Sequence, residues 1–77
     1  MRQSSTAIIH LREPTAPLVR RAIRRMIKAA RGVSRIEFRA RDAVLAVRFD
    51  HDQTALAEIV RIIEDTGTSV VGVAQRL

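Results

Sequence analysis

Apolar and polar residues follow two different rhythms along this chain, and the changes between them mark six elements. Thr6 to Arg12, TAIIHLR, has a period of two, with Ala7, Ile9 and Leu11 on one side and Ile8, His10 and Arg12 on the other. That alternation predicts a strand with one buried face. Residues 1–5 read as a loose lead-in. Glu13 to Pro17 holds two prolines and predicts a loop. Pro17 suits the first turn of a helix, where its missing N–H costs nothing, and Thr15 is a better cap than Ala16. From Leu18 to Gly32 the rhythm becomes helical. At about 100° per residue, Leu18, Val19, Ala22, Ile23, Met26, Ile27 and Ala30 fill one half of the cylinder. Arg20, Arg21, Arg24, Arg25, Lys28 and Arg31 fall on the other half. Gly32 supplies a stop, and Lys28 and Arg31 favour the negative end of the helix dipole.

The period of two returns over Val33–Arg39, with Ile36 and Phe38 inward, and over Ala43–Asp50, with Leu45, Val47 and Phe49 inward. Ala40–Asp42 turns the chain between them, so these two strands form a hairpin. Asp50, His51 and Asp52 form a turn suited to capping a second helix over Gln53–Thr66. Its Leu56, Ile59, Val60 and Ile63 face the core, and Glu58, Arg61, Glu64 and Asp65 face water. Gly67 ends it, and Ser69–Ala74 is the last strand. The order β-α-β-β-α-β predicts an α+β ferredoxin-like sandwich, with two helices on one face of a four-stranded antiparallel sheet. The outer sheet face then carries Ile8, His10, Arg35, Glu37, Arg39, Val44, Ala46 and Arg48. Val71 or Val73 at its edge would complete a small apolar patch able to pair with another copy or domain.

Composition narrows the picture. At 77 residues the chain is one domain, with the sandwich over about residues 6–75. Phe38 and Phe49 are the only aromatics, so the core is aliphatic. The absence of Cys excludes disulfides and thiolate metal sites and fits a reducing compartment. No apolar run is long enough for a membrane span, and MRQSST lacks the apolar segment of a signal peptide. A soluble, cytoplasmic chain is expected. Leu77 follows directly on a strand-like run, so the chain can also be a fragment. The net charge of +6 is uneven: residues 20–41 hold nine of the fourteen basic residues and a single acidic one, Glu37. Such a field favours an anionic partner.

Several stretches carry a family likeness. Gly32-Val33 follows the first helix, Val47-Arg48-Phe49-Asp50 resembles a V-x-[YF]-D strand ending, and Ile62-Ile63-Glu64-Asp65-Thr66-Gly67 resembles an I-E-x-x-G helix ending. Together, over about residues 6–75, they resemble the heavy-metal-associated domain, the module of copper chaperones and of the N-terminal tails of heavy-metal P-type ATPases. The resemblance implies the fold and a setting in metal homeostasis. It also locates a difference. The family's G-M-T-C-x-x-C motif falls on Glu13, Pro14, Thr15, Ala16 and Val19, and of these only Thr15 is kept. Ala16 and Val19 stand at the two ligand positions without a donor atom, whereas soft thiolates are what select copper and zinc there. Thr68 replaces the aromatic residue that often follows the glycine. No metal site and no cofactor is therefore expected.

Other candidate chemistry is thin. His10 is a lone outward imidazole, and Asp50, His51 and Asp52 are explained by a turn. Glu37, Glu58, Glu64 and Asp65 are scattered on wet faces with no acid–base pairing. Ser4, Ser5, Ser34 and Ser69 lack a His–Asp partnership, and three glycines build no phosphate loop. The chain is not expected to be an enzyme. The candidate site is the basic face of Arg20, Arg21, Arg24, Arg25, Lys28 and Arg31, which lacks the i+4 carboxylates of a merely solvated helix. Three partners suit it: an acidic protein surface or another domain of the same protein, nucleic acid through its phosphates, or only solvent. The outer sheet face offers no aromatic platform for bases. Membrane insertion is not expected, because the core needs the helix's apolar half. A homo-oligomer through the sheet patch stays open. The leading expectation is a non-catalytic regulatory or docking domain, at the cytoplasmic N-terminus of a heavy-metal P-type ATPase or in a stand-alone relative.

Overall fold

The computed structural model describes residues 4–76. Its elements are β1 (Ser4–Leu11), α1 (Pro17–Lys28), β2 (Val33–Arg39), β3 (Val44–Asp50), α2 (Leu56–Asp65) and β4 (Val70–Arg76). The four strands form one antiparallel sheet in the order β2-β3-β1-β4. This is the ferredoxin-like sandwich that the alternating pattern predicts. The expected lead-in is shorter than read: Ser4 and Ser5 already belong to β1, and Met1–Gln3, like Leu77, lie outside the described residues.

The core lies between the sheet and the two helices. Ala7, Ile9 and Leu11 of β1 and Leu45, Val47 and Phe49 of β3 meet Ile23 and Ile27 of α1 and Ile59 and Ile63 of α2. Ile36 is buried with them, while Phe38 is only partly buried against their edge. Burying a large aliphatic side chain is worth about 1.5–3 kcal/mol, so these few residues supply most of the cohesion of a thin core. In α2, Leu56 and Ile62 pack on the core from its flank, whereas the helical pattern points to Leu56 and Val60.

Both helices are shorter than their patterns. Ala29 ends α1, its N–H bonding to Arg25 O, and Ala30 N–H bonds to Ile27 O in a tighter turn. Ala30 and Arg31 therefore lie beyond the helix, and Gly32 follows that turn with φ +90° rather than stopping the helix itself. The cap is Ala16, with no side-chain bond; Thr15 is used elsewhere. The Asp50 turn does not cap α2 either. Its Oδ1 accepts from Asp52 N–H and its Oδ2 from the Gln53 amide, and α2 starts only after Ala55. Gly67, with φ +87°, does close α2. β4 runs two residues past the expected Ala74, and a bulge sits where it passes His10 and Leu11.

Candidate functional site

The loop between β1 and α1 is where the resemblance puts a metal motif, and two neighbouring turns hold it. Arg12 N–H bonds to Ser69 O at 3.0 Å, on the α2–β4 side. On the other side, Asp42 O accepts both the Thr15 N–H, at 3.0 Å, and the Thr15 hydroxyl, at 3.1 Å. Thr15 is thereby buried, only 8% exposed. Arg20, one turn into α1, pairs with the Asp42 carboxylate at 2.9 Å and donates to Thr15 O at 2.6 Å. The turn that supplies Asp42 has three successive non-glycine residues with positive φ, Ala40 at 49°, Arg41 at 56° and Asp42 at 64°. This conformation costs an L-residue roughly 1–2 kcal/mol, and the bonds from Thr15 and Arg20 offset that cost. Nothing in Ala-Arg-Asp announces such a turn, since it holds no glycine.

A recess of about 200 Å³ opens at this loop, lined among others by Arg12, Glu13, Thr15, Ala16, Val19 and Thr68. Ala16, the cap residue, and Val19, in the first turn of α1, both line this recess. The local geometry brings the two positions together. Their side chains, a methyl and an isopropyl group, carry no donor atom, so the residues present do not fit the thiolate chemistry of the resembled motif. Among the described residues, no group of three or more His, Asp or Glu converges to hold a metal ion. His10 is exposed on the outer sheet face, opposite Val44 and Gly72, and His51 is exposed in its turn.

The basic helix is rolled from its expected orientation. Its buried residues are Ile23 and Ile27, with Val19 packed beside them. Leu18 is 75% exposed and Met26 40%. The buried stripe is thus turned by roughly 50° toward the arginines. Two arginines lie at the edge of that stripe and bond within the chain. Arg20 is held by Asp42, as above. Arg24 donates to Ile36 O at 3.3 Å and places its guanidinium 5.2 Å from the Phe38 ring centroid, a cation–π contact. Arg21, Arg25, Lys28 and Arg31 are exposed, with no ion pair among the described residues. Leu18 and Met26 share their surface. Reading by face alone missed this mixture, because the faces look cleanly divided until the roll is known.

No protein-family model matches the sequence, and no curated protein matches it significantly. Solved structures do resemble it. The candidate copper-ion-binding protein from Bacillus anthracis str. Ames superposes with a TM-score of 0.81 at 21% identity, over 92% of this chain and 100% of that one. The CopZ metallochaperone gives 0.78 at 20% identity, over 86% and 98%. A copper binding domain from HMA7, a P-type ATPase, gives 0.74 at 16% identity, over 88% and 95%. At these identities the likeness shows the fold, and the fold is the one that the heavy-metal-associated resemblance implies.

Proposed function

We propose that this chain is a non-catalytic docking or regulatory domain of a metal-homeostasis system, working by contact and not by coordination. It serves either as the N-terminal domain of a heavy-metal P-type ATPase or as a stand-alone relative. The observation that carries the reading is the pair Ala16 and Val19, adjacent at the recess where the fold's relatives would place ligands, with no donor between them. The similar structures, a metallochaperone and a copper binding domain of a P-type ATPase, support the setting.

The contact surface is the exposed part of α1 and its following turn. Arg21, Arg25, Lys28 and Arg31 supply charge, and Leu18 and Met26 supply apolar anchors. Charge steers an encounter and sets its specificity, while buried apolar groups hold it. That combination suits an acidic protein surface with a shallow apolar centre. Arg20 and Arg24, at its edge, tie α1 to the β2–β3 hairpin.

The test is photo-crosslinking in the native cell with a crosslinking side chain at position 18 or 26, and at position 10 on the outer sheet face as control. Adducts to a protein with an acidic surface are expected from 18 and 26, and loss of those adducts in R21E/R25E. Adducts no stronger than at position 10 would overturn the docking reading.

A further inference from the structure

The sheet register reveals a second basic surface, on the side away from the helices. Arg35 lies opposite Arg48, Arg48 opposite Thr6, and Thr6 opposite Arg76. These four residues form one lateral row across all four strands, about 14 Å long at roughly 4.8 Å per strand. Like charges directly opposite each other destabilise a sheet, so the Arg35–Arg48 pair costs stability in the free protein. Among the described outward positions the carboxylates are Glu37 and, at the end of β3, Asp50, which engages Asp52 N–H and the Gln53 amide. Arg39 takes Glu37 with two hydrogen bonds, at 3.1 and 3.3 Å, and Arg35 reaches it at 3.8 Å. The side chains of Arg48 and Arg76 have neither an ion pair nor a hydrogen bond among the described residues, and both are exposed.

We propose that this face binds the phosphate backbone of double-stranded nucleic acid, without base selection, through Arg35, Arg48 and Arg76. The surroundings of the row choose this occupant over the other polyanions. A protein partner needs apolar anchors, and among the described residues the exposed large apolar side chains are Leu18, Met26, Val71 and Val73, none of them at an outward-registered sheet position. Val73 pairs with the core residue Ile9 and so faces the helix side. A single strand needs aromatic platforms for its unstacked bases; Phe49 is buried, and Phe38 packs against the core beneath Arg24. A duplex keeps its bases stacked internally and asks only for spaced cations on its phosphates. The guanidinium forks, with the Thr6 hydroxyl between them, match that need. This surface is separate from the α1 docking face and does not rest on it.

The test is fluorescence anisotropy with a labelled mixed-sequence DNA duplex of about 20 bp, titrated between about 50 and 200 mM salt. The wild type should bind, and more weakly as salt rises. R48Q/R76Q should bind at least ~10-fold more weakly, with a log K against log salt slope shallower by about 2, because two phosphate contacts are lost. R21Q/R25Q removes the same charge from α1 and should stay within ~3-fold, with the wild-type slope. E37Q should bind more tightly, because it frees Arg35 and Arg39. Circular dichroism confirms that each variant is folded. The proposal is overturned by no binding at the lowest salt, by equal losses in the two double variants, by tighter binding of the single strand than the duplex, or by polyglutamate of matched charge displacing the duplex.

Discussion

Arg20 shows how one charge in a basic run becomes a structural part. By spacing it belongs with the other five cations of α1, but its guanidinium bridges the Asp42 carboxylate and Thr15 O. The pair is partly exposed, so its worth is modest. R20A and D42A should each lower stability by about 1 kcal/mol, and a double-mutant cycle by urea unfolding should show the two losses overlapping. Independent, additive losses would remove this brace from the account. Glu37 gives a second test on single groups. The hydrogen bond from Arg39 is the main influence holding its carboxyl below the usual carboxylate range; the charges of Arg39 and, more weakly, Arg35 act the same way against a small desolvation effect. A lowered folded pKa contributes stability above the unfolded value and loses it as pH falls through the folded one. An NMR titration should place the Glu37 midpoint below the usual glutamate value, and R39A should move it up. These partners were not legible beforehand. Asp42 acts from a different element, and its left-handed turn contains no glycine to announce it.

At the level of elements, period and register were legible, while helix orientation and ends were not. Alternation correctly put Ala7, Ile9, Leu11, Leu45, Val47 and Phe49 inward, because a one-residue slip would expose the whole set. β4 was harder to read: SVVGVA is apolar throughout, and the bulge beside Leu11 leaves Val71 exposed. In α1 the pattern allowed a broad apolar half, but contacts from the β2–β3 hairpin to Arg20 and Arg24 roll the helix and leave Leu18 outside. The roll predicts a contrast between two aliphatic residues of one helix. I23A should cost roughly 2–5 kcal/mol, whereas L18A should cost less than about 0.5. Equal losses would mean that Leu18 belongs to the core as its phase indicates. Gly32 makes a sharper case. Its φ is +90°, and an added Cβ would stand 2.8 Å from Gln53 Cβ. G32A should therefore destabilise by more than about 1 kcal/mol, the ordinary cost of the left-handed conformation, as read by thermal unfolding.

For the whole molecule, the uneven charge in the sequence resolves into two basic surfaces on opposite sides of one sheet. The α1 side mixes cations with exposed apolar groups; the sheet side has cations over small, flat or half-buried neighbours. The first is suited to a protein and the second to a phosphate chain. At the β1–α1 loop lies a recess where Ala16 and Val19 stand at the positions of the resembled motif's ligands, and the functional account depends on what those two side chains cannot do. The direct measurement is a competitive Cu(I) titration of the wild type beside A16C/V19C, under reducing conditions with a chromogenic chelator. The wild type should leave the chelator's copper untouched, while A16C/V19C, with two thiolates lining one recess, should withdraw about one equivalent. Stoichiometric withdrawal by the wild type would contradict the account, because the domain would then coordinate metal with groups other than those at positions 16 and 19.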